Sequence, residues 1–408
     1  MRILIASPTL PYPQNSGYAI RVFQVVHLLQ RRHSVTLLAY GDPSEEGAAI
    51  AELRGHVPDL HVVPRSTTVT SKRAEQLATL ISRQSFQRRH QSSVEFQRKL
   101  DELSARTPYD IINIETSGLG GFRFDPRAAL VLTEHDIVYE LLYRMYRTER
   151  SPFRRLYNRV EYSKVRRDEI HMWRSVAGCV TTSPREERII RELAPHTPVL
   201  VAPNGVDVDY FAPGDEPVDP NVLVMTGFMK TRPNIDGALF FVRDVLPRIR
   251  AARPHVVVYL VGAAPPEEVR RLASDHVIVT DAVPDVRPYV RRAAVFVVPL
   301  RMGGGTRLKV LEGLSMLKPM VSTSLGCEGI DVEDGRDLLI ADEPAAFATA
   351  VLRLLDDPAL GRQLAERGQQ RVLAQYRWAG IVDRQAGFYE QLLERRGARG
   401  RERQAAKY

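Results

Sequence analysis

Three consecutive glycines ahead of a helical pattern are the most chemically suggestive feature of this 408-residue sequence. Val295 to Leu300 reads as a buried strand, Arg301-Met302-Gly303-Gly304-Gly305 as a glycine loop, and Thr306 to Leu317 as a helix with Leu308, Leu311 and Leu314 along one side. Glycines let an anion approach the backbone, and the free N–H groups and dipole of a helix start favour negative charge. Arg307 and Lys309 place cations near that start. Glu312 lies six positions beyond Thr306, about 9 Å along a helix axis. That separation suits a phosphate at one end and a ribose at the other, since a carboxylate accepts from both ribose hydroxyls. The bland alternative is a tight turn with a Lys309–Glu312 surface ion pair at i,i+3.

Other motifs exclude more than they assign. The loop after the first strand-like run, Ser7 to Gly17, is not a GxGxxG dinucleotide fingerprint, and no GxxxxGK[ST] P-loop occurs anywhere. Gly17 itself suits close approach of an acceptor or phosphate, or a plain helix start. Asp207-Val208-Asp209 has the form of a metal-binding DxD. Glu134 and Asp136 are adjacent acids, but acid/base work needs facing groups, which adjacency does not supply.

These residues need a frame. From residue 1 to about 203, apolar runs (Arg2 to Ala6, Ser34 to Ala39, Tyr109 to Ile114, Ala129 to Leu132, Gly178 to Thr181, Pro198 to Val201) alternate with helical patterns. A second series follows at Asn221 to Met225, Val256 to Val261, Val277 to Val279, Val295 to Val298 and Met320 to Ser322. Runs without polar alternation are buried on both faces, as in parallel sheets covered by helices. The pattern predicts an α/β protein of two doubly wound domains: 1–204, a turn-rich linker over 205–220, and 221–375. Helical patterns continue through Leu360 to Gln375 and Trp378 to Arg395, and the basic tail 397–408 reads as disordered.

Composition agrees with a globular chain: 44% hydrophobic, 26% charged. No apolar run approaches the about 18 residues of a membrane span, and Met1 to Pro8 reads as a strand, not a signal-peptide core. Cys179 and Cys327 lack disulfide or zinc spacing, which fits a reducing, cytoplasmic setting. The net charge of +8 is local: residues 141–175 hold ten basic against four acidic residues, and 395–408 six against one. A solvated helix face and an anionic membrane surface are both open readings, placing the chain peripherally on the inner face of a membrane in the second. Nucleic acid is disfavoured, because neither stretch interleaves aromatics or shows a helix-turn-helix.

The strand, Pro299-Leu300, the glycine loop, Arg307-Leu308-Lys309-Val310-Leu311-Glu312-Gly313 and Lys318-Pro319 together resemble the donor site of glycosyltransferase family four. Pro203-Asn204-Gly205-Val206-Asp207, Thr182-Ser183-Pro184, and Gly227 with Pro233-Asn234 resemble further segments of that family. The resemblance implies a GT-B fold: two Rossmann-like domains facing across a cleft, with the 376–396 helix returning to the N-terminal domain. It implies a retaining transferase using a UDP- or GDP-linked sugar, with a carbohydrate, lipid-linked or small-molecule acceptor and no cofactor or essential metal. Gly303, Gly304, Gly305, Thr306 and Glu312 would then hold diphosphate and ribose. Arg307 and Lys309 would stabilise the departing diphosphate. Lys230 and Arg232 are its available partners in the preceding loop, at a spacing that departs from the common pattern, and a solvated loop is the alternative. His135 falls where the family often places a histidine beside the donor sugar; helix entry with Asp136 as N-cap is its alternative. The family pairs two glutamates eight positions apart, and here the first position is Gly304, as in a glycine-rich subgroup. A sugar-nucleotide epimerase and a non-catalytic sugar-nucleotide binder therefore stay open beside the transferase.

Overall fold

The computed structural model describes residues 1–65, 79, 82, 84–303 and 307–405, with side chains to residue 398. Two compact units form: Met1–Pro203 with Ile381 onward, and Asn204–Gly380. In the first unit, β1 (Arg2–Ser7), β2 (Ser34–Tyr40), β3 (Leu60–Val63), β4 (Ile111–Ile114), β5 (Ala129–Glu134), β6 (Gly178–Thr181) and β7 (Val199–Val201) make one sheet, ordered β3-β2-β1-β4-β5-β6-β7. In the second, β8 (Asp219–Thr226), β9 (Val257–Val261), β10 (Val277–Val279), β11 (Ala293–Val298), β12 (Met320–Ser322) and β13 (Leu339–Ile340) are ordered β10-β9-β8-β11-β12-β13. Every ladder between these strands is parallel. Both units are therefore doubly wound, and the strand order reverses at β1/β4 and at β8/β11.

Burial explains the strands. Ile3, Leu4 and Ile5 in β1, and Leu223, Val224, Met225, Val295, Val297 and Val298 in β8 and β11, are fully buried. Each such side chain stabilises its sheet by about 1.5–3 kcal/mol relative to exposure. Local signals set the helix starts: Ser16 Oγ accepts from Ala19 N at the head of Gly17–Leu29, and Asp357 caps Pro358–Gln375 with proline in the first turn.

The structure differs from the sequence reading at three places. The short edge strands β3 and β13 leave no mark in the sequence pattern, because four and two residues carry too little periodicity to register. The 205–220 segment is no free tether. Val206 is buried in the second core and its N–H reaches Tyr376 O at 2.8 Å, while Arg291 holds Ala212 O and Glu216. The last helix runs from Trp378 to Ala405, past Gly397, where a structureless tail was expected. Alanine, arginine, glutamine and glutamate are strong enough helix formers to carry it past two glycines. From Ile381 this helix belongs to the first unit. There Phe388 and Leu392 crowd Gly178, where a Cβ would lie 2.8 Å from either ring or methyl.

Candidate functional site

Ligands of doubly wound sheets bind beyond the carboxyl ends of the strands where the order reverses. In the second unit that place lies after β8 and β11, where Lys230, Arg232, Gly303, Arg307, Lys309 and Glu312 fall; Gly17 and His135 belong to the first unit. Helix Leu308–Ser315 follows β11 and helix Arg232–Phe240 follows β8. Lys309 ties the two together, donating to Thr226 O at 2.5 Å and to Asn234 Oδ1 at 2.8 Å, while Asn234 Nδ2 donates to Phe228 O. Arg301 closes the other side through Asp236 Oδ1 at 2.7 Å. Two glycines make room at the base. A Cβ on Gly227 would meet Lys309 Nζ at 2.7 Å, and one on Gly262 would lie 1.7 Å from Gly227 O. Gly303 has φ +119°, and a Cβ there would lie 3.1 Å from Pro233 Cγ and 3.2 Å from the Arg307 guanidinium. Gly304, Gly305 and Thr306 lie outside the described residues.

The electrostatics of this crevice are unusual. Burial raises the Glu312 carboxyl to about 7, against the attraction of Lys309. Burial lowers the Lys309 ammonium to about 8, against the attraction of Glu312. The two do not form the surface ion pair considered from sequence, because Lys309 spends two donors on Thr226 and Asn234. The Glu312 carboxylate has no hydrogen-bond partner among the described residues. Arg307, also buried, reaches Leu325 O through Nε. Lys230 and Arg232 are exposed at the start of the helix after β8, with no carboxylate partner among the described residues. A helix N-terminus flanked by cations, facing an unpaired acceptor one helix away, can hold a dianion and a diol together.

The first unit gathers a second polar cluster at its own reversal point. Glu115 follows β4 and is almost wholly buried. Its Oε1 accepts from Asn113 Nδ2 at 2.6 Å and its Oε2 pairs with His135 Nε2 at 2.8 Å. Tyr18 stands beside the His135 ring, centroids 4.7 Å apart, and its hydroxyl meets Ser7 Oγ at 2.7 Å. Gly17 opens that helix, exposed and without positive φ, so its backbone does not demand glycine. Asp136 is not the N-cap weighed as the alternative for this stretch. Helix Val138–Thr148 is capped from a distance by Glu169, whose carboxylate accepts from Val138 N and Tyr139 N. Glu134 turns into the core and accepts from Trp173 Nε1 at 3.2 Å, its carboxyl raised well above the ordinary range by burial and by the nearby Glu169.

Residues 16–210 match the family model described as Glycosyltransferase Family 4, and residues 220–357 the model described as Glycosyl transferases group 1. The chain is a GT-B glycosyltransferase. Sucrose-phosphate synthase from Thermosynechococcus elongatus superposes with TM-score 0.66 at 18% identity, covering 97% of this chain and 100% of that one. HepE from Anabaena, solved with UDP-glucose, gives TM-score 0.64 at 12% identity over 96% and 100%. An uncharacterized 44.6 kDa protein in the cps region of Klebsiella pneumoniae is 22% identical over 86% of this chain and 90% of its own length.

In this glycosyltransferase the two clusters also contain residues that the motifs did not single out. Glu115 closes an apolar run, a carboxylate at the carboxyl end of a strand beside β1; that position was the available signal. Asn234 appeared only as part of a motif, and Gly262 shares with Gly227 its place directly after a buried strand. Arg21, buried in helix Gly17–Leu29, donates to Ala202 O at 2.7 Å; nothing in its spacing sets it apart from a surface arginine. In Asp207-Val208-Asp209, Asp207 Oδ1 accepts from Asp209 N and Tyr210 N, so this carboxylate shapes its own turn.

Proposed function

We propose that this glycosyltransferase moves a sugar from a UDP- or GDP-linked donor to an acceptor hydroxyl, with retention of anomeric configuration, in polysaccharide, glycolipid or glycoconjugate assembly. One observation carries the reading: the partly buried Glu312 carboxylate, raised to about 7 and lacking any partner among the described residues, beside a cation-flanked helix start. A ribose diol supplies the missing donors, and the diphosphate meets Lys230, Arg232 and Arg307. That HepE is solved with UDP-glucose supports the same ligand class here.

In this proposal the departing diphosphate carries the developing charge, and fixed cations and helix-start dipoles stabilise it. No metal is assigned a role, since arginine, lysine and helix amides hold a diphosphate by charge-assisted hydrogen bonds. The acceptor oxygen attacks from the face the diphosphate leaves, and a diphosphate oxygen takes its proton. In the first unit, Glu115 fixes His135 through Nε2 and leaves Nδ1 for a substrate hydroxyl. The buried free thiols Cys179 and Cys327 accord with a cytoplasmic site of action.

A thermal-shift series with nucleoside diphosphates and their sugars tests the donor. One base should stabilise the fold, by about 2.7 kcal/mol at a hundred times its Kd. Incubation with an acceptor panel should then release nucleoside diphosphate and form glycoside. Donor alone turning into its epimer would replace transfer by epimerisation, and binding without turnover on any acceptor would leave a sensor. No stabilisation by any nucleoside diphosphate would remove the site.

A further inference from the structure

The helices Val138–Thr148 and Pro152–Ser175 pack against each other and turn through residues 149–151. Their inner side is ordinary: Tyr139 is buried, and Val138, Leu142 and Tyr162 pack on the first unit's core. Their outer side is not. Leu141 is 57% exposed and Met145, four residues on, shares its face; Phe153 and Leu156, three apart in the first turn of the next helix, are 86% and 59% exposed. Large apolar side chains concentrated at one tip mark an interaction surface, whereas scattered ones do not.

Between these anchors stand Arg144, Arg147, Arg150, Arg154 and Arg155. None has a carboxylate partner among the described residues. Arg147 lies over the Tyr143 ring and Arg155 over the Tyr146 ring, which extends both guanidinium groups along the apolar surface. The nearby acids are engaged elsewhere: Glu140 pairs with Arg185, and Glu149 accepts from Ser151 N. We infer that this helical tip is a docking surface for an anionic membrane, with Leu141, Met145, Phe153 and Leu156 entering the headgroup layer and the arginines meeting lipid phosphates.

Charge decides the occupant. A second copy meeting this face about a two-fold axis would set arginine against arginine. A polyanion such as nucleic acid would satisfy the arginines and leave Leu141, Met145 and Leu156 without purpose. An anionic bilayer answers both, since interfacial helices combine apolar anchors with basic residues at the same depth.

Flotation of the full chain with vesicles of phosphatidylcholine, alone or mixed with phosphatidylglycerol, tests this without requiring turnover. Its result is therefore independent of the proposed transfer. The chain should float with mixed vesicles and stay behind with phosphatidylcholine alone. Each arginine near the surface contributes about fivefold, so R144Q/R150Q/R154Q should weaken binding about a hundredfold. F153S/L156S should weaken it about tenfold or more. All of these side chains are exposed, so circular dichroism and melting should be unchanged. Absence of binding by the unaltered chain overturns the inference. Loss with the arginine variant but full binding by F153S/L156S also overturns it, and points to a polyanion. A dimer that F153S/L156S dissociates, with no vesicle binding, assigns the face to a second copy.

Discussion

Replacing Glu312 by Gln should stabilise the ligand-free protein while weakening its grip on the donor. Holding a carboxyl at about 7 instead of 4.5 places about 3 kcal/mol on its ionised form. The part of the group that meets water, and the lost attraction of Lys309, reduce the recoverable gain to about 1–2 kcal/mol. The sign follows from proton binding. The native state holds this proton more tightly than the unfolded chain, so stability falls as pH rises from 4.5 to about 7. Gln has no proton to lose and removes that fall. The variant should melt about 2–6 °C above the parent at about pH 8, and together with it at about pH 4. Donor binding should move the other way: a charged acceptor lost from two ribose hydroxyls costs about 1.5–3 kcal/mol, or about 10- to 100-fold in Kd. Calorimetric melting at both pH values, with and without nucleotide sugar, reads both effects. A variant that melts lower at about pH 8, or binds donor as tightly as the parent, refutes the reasoning.

Other perturbations separate the parts of the site. Lys230→Ala with Arg232→Ala should leave melting unchanged, weaken donor binding about tenfold at low salt and flatten its salt dependence, because both side chains are exposed cations. Glu115→Gln keeps the Asn113 contact but gives His135 a neutral partner; kcat should fall about 10- to 100-fold with donor Kd unchanged, measured by initial rates and calorimetry. Gly262→Ala sets a methyl 1.7 Å from a backbone oxygen and should cost more than about 3 kcal/mol in urea unfolding. Gly55→Ala, in helix Gly47–His56 with open space around it, should instead gain about 0.5–1 kcal/mol in the same assay.

Apolar runs such as Ile3 to Ala6 and Val295 to Val298 revealed the two sheets because a strand buried on both faces must be continuously hydrophobic. Lys309 and Glu312 were visible as a motif, yet their roles divide in three dimensions. Lys309 braces two loops, and only Glu312 is left wanting a partner. That difference depends on Asn234 and Thr226, about 80 positions away in sequence, and no local spacing encodes it. The same holds for Glu115 and His135, brought together by adjacent strands β4 and β5. Asp136 illustrates the converse: a residue with good capping chemistry stood at a helix start, and Glu169 from another helix had taken the amides.

The closing helix has a consequence for how the chain is made. Phe388 and Leu392 fill the space above Gly178, and Asp383 pairs with Arg32, so the first unit is finished by residues synthesised only after the whole second unit. The second unit, contiguous from Asn204 to Gly380, has every residue it needs sooner. Domains ordinarily mature in the order of their synthesis. Here the order reverses: the first unit's sheet must wait with an uncovered apolar flank until the helix from Ile381 onward emerges, and a ribosome stalled before residue 381 would hold a complete second unit and an incomplete first.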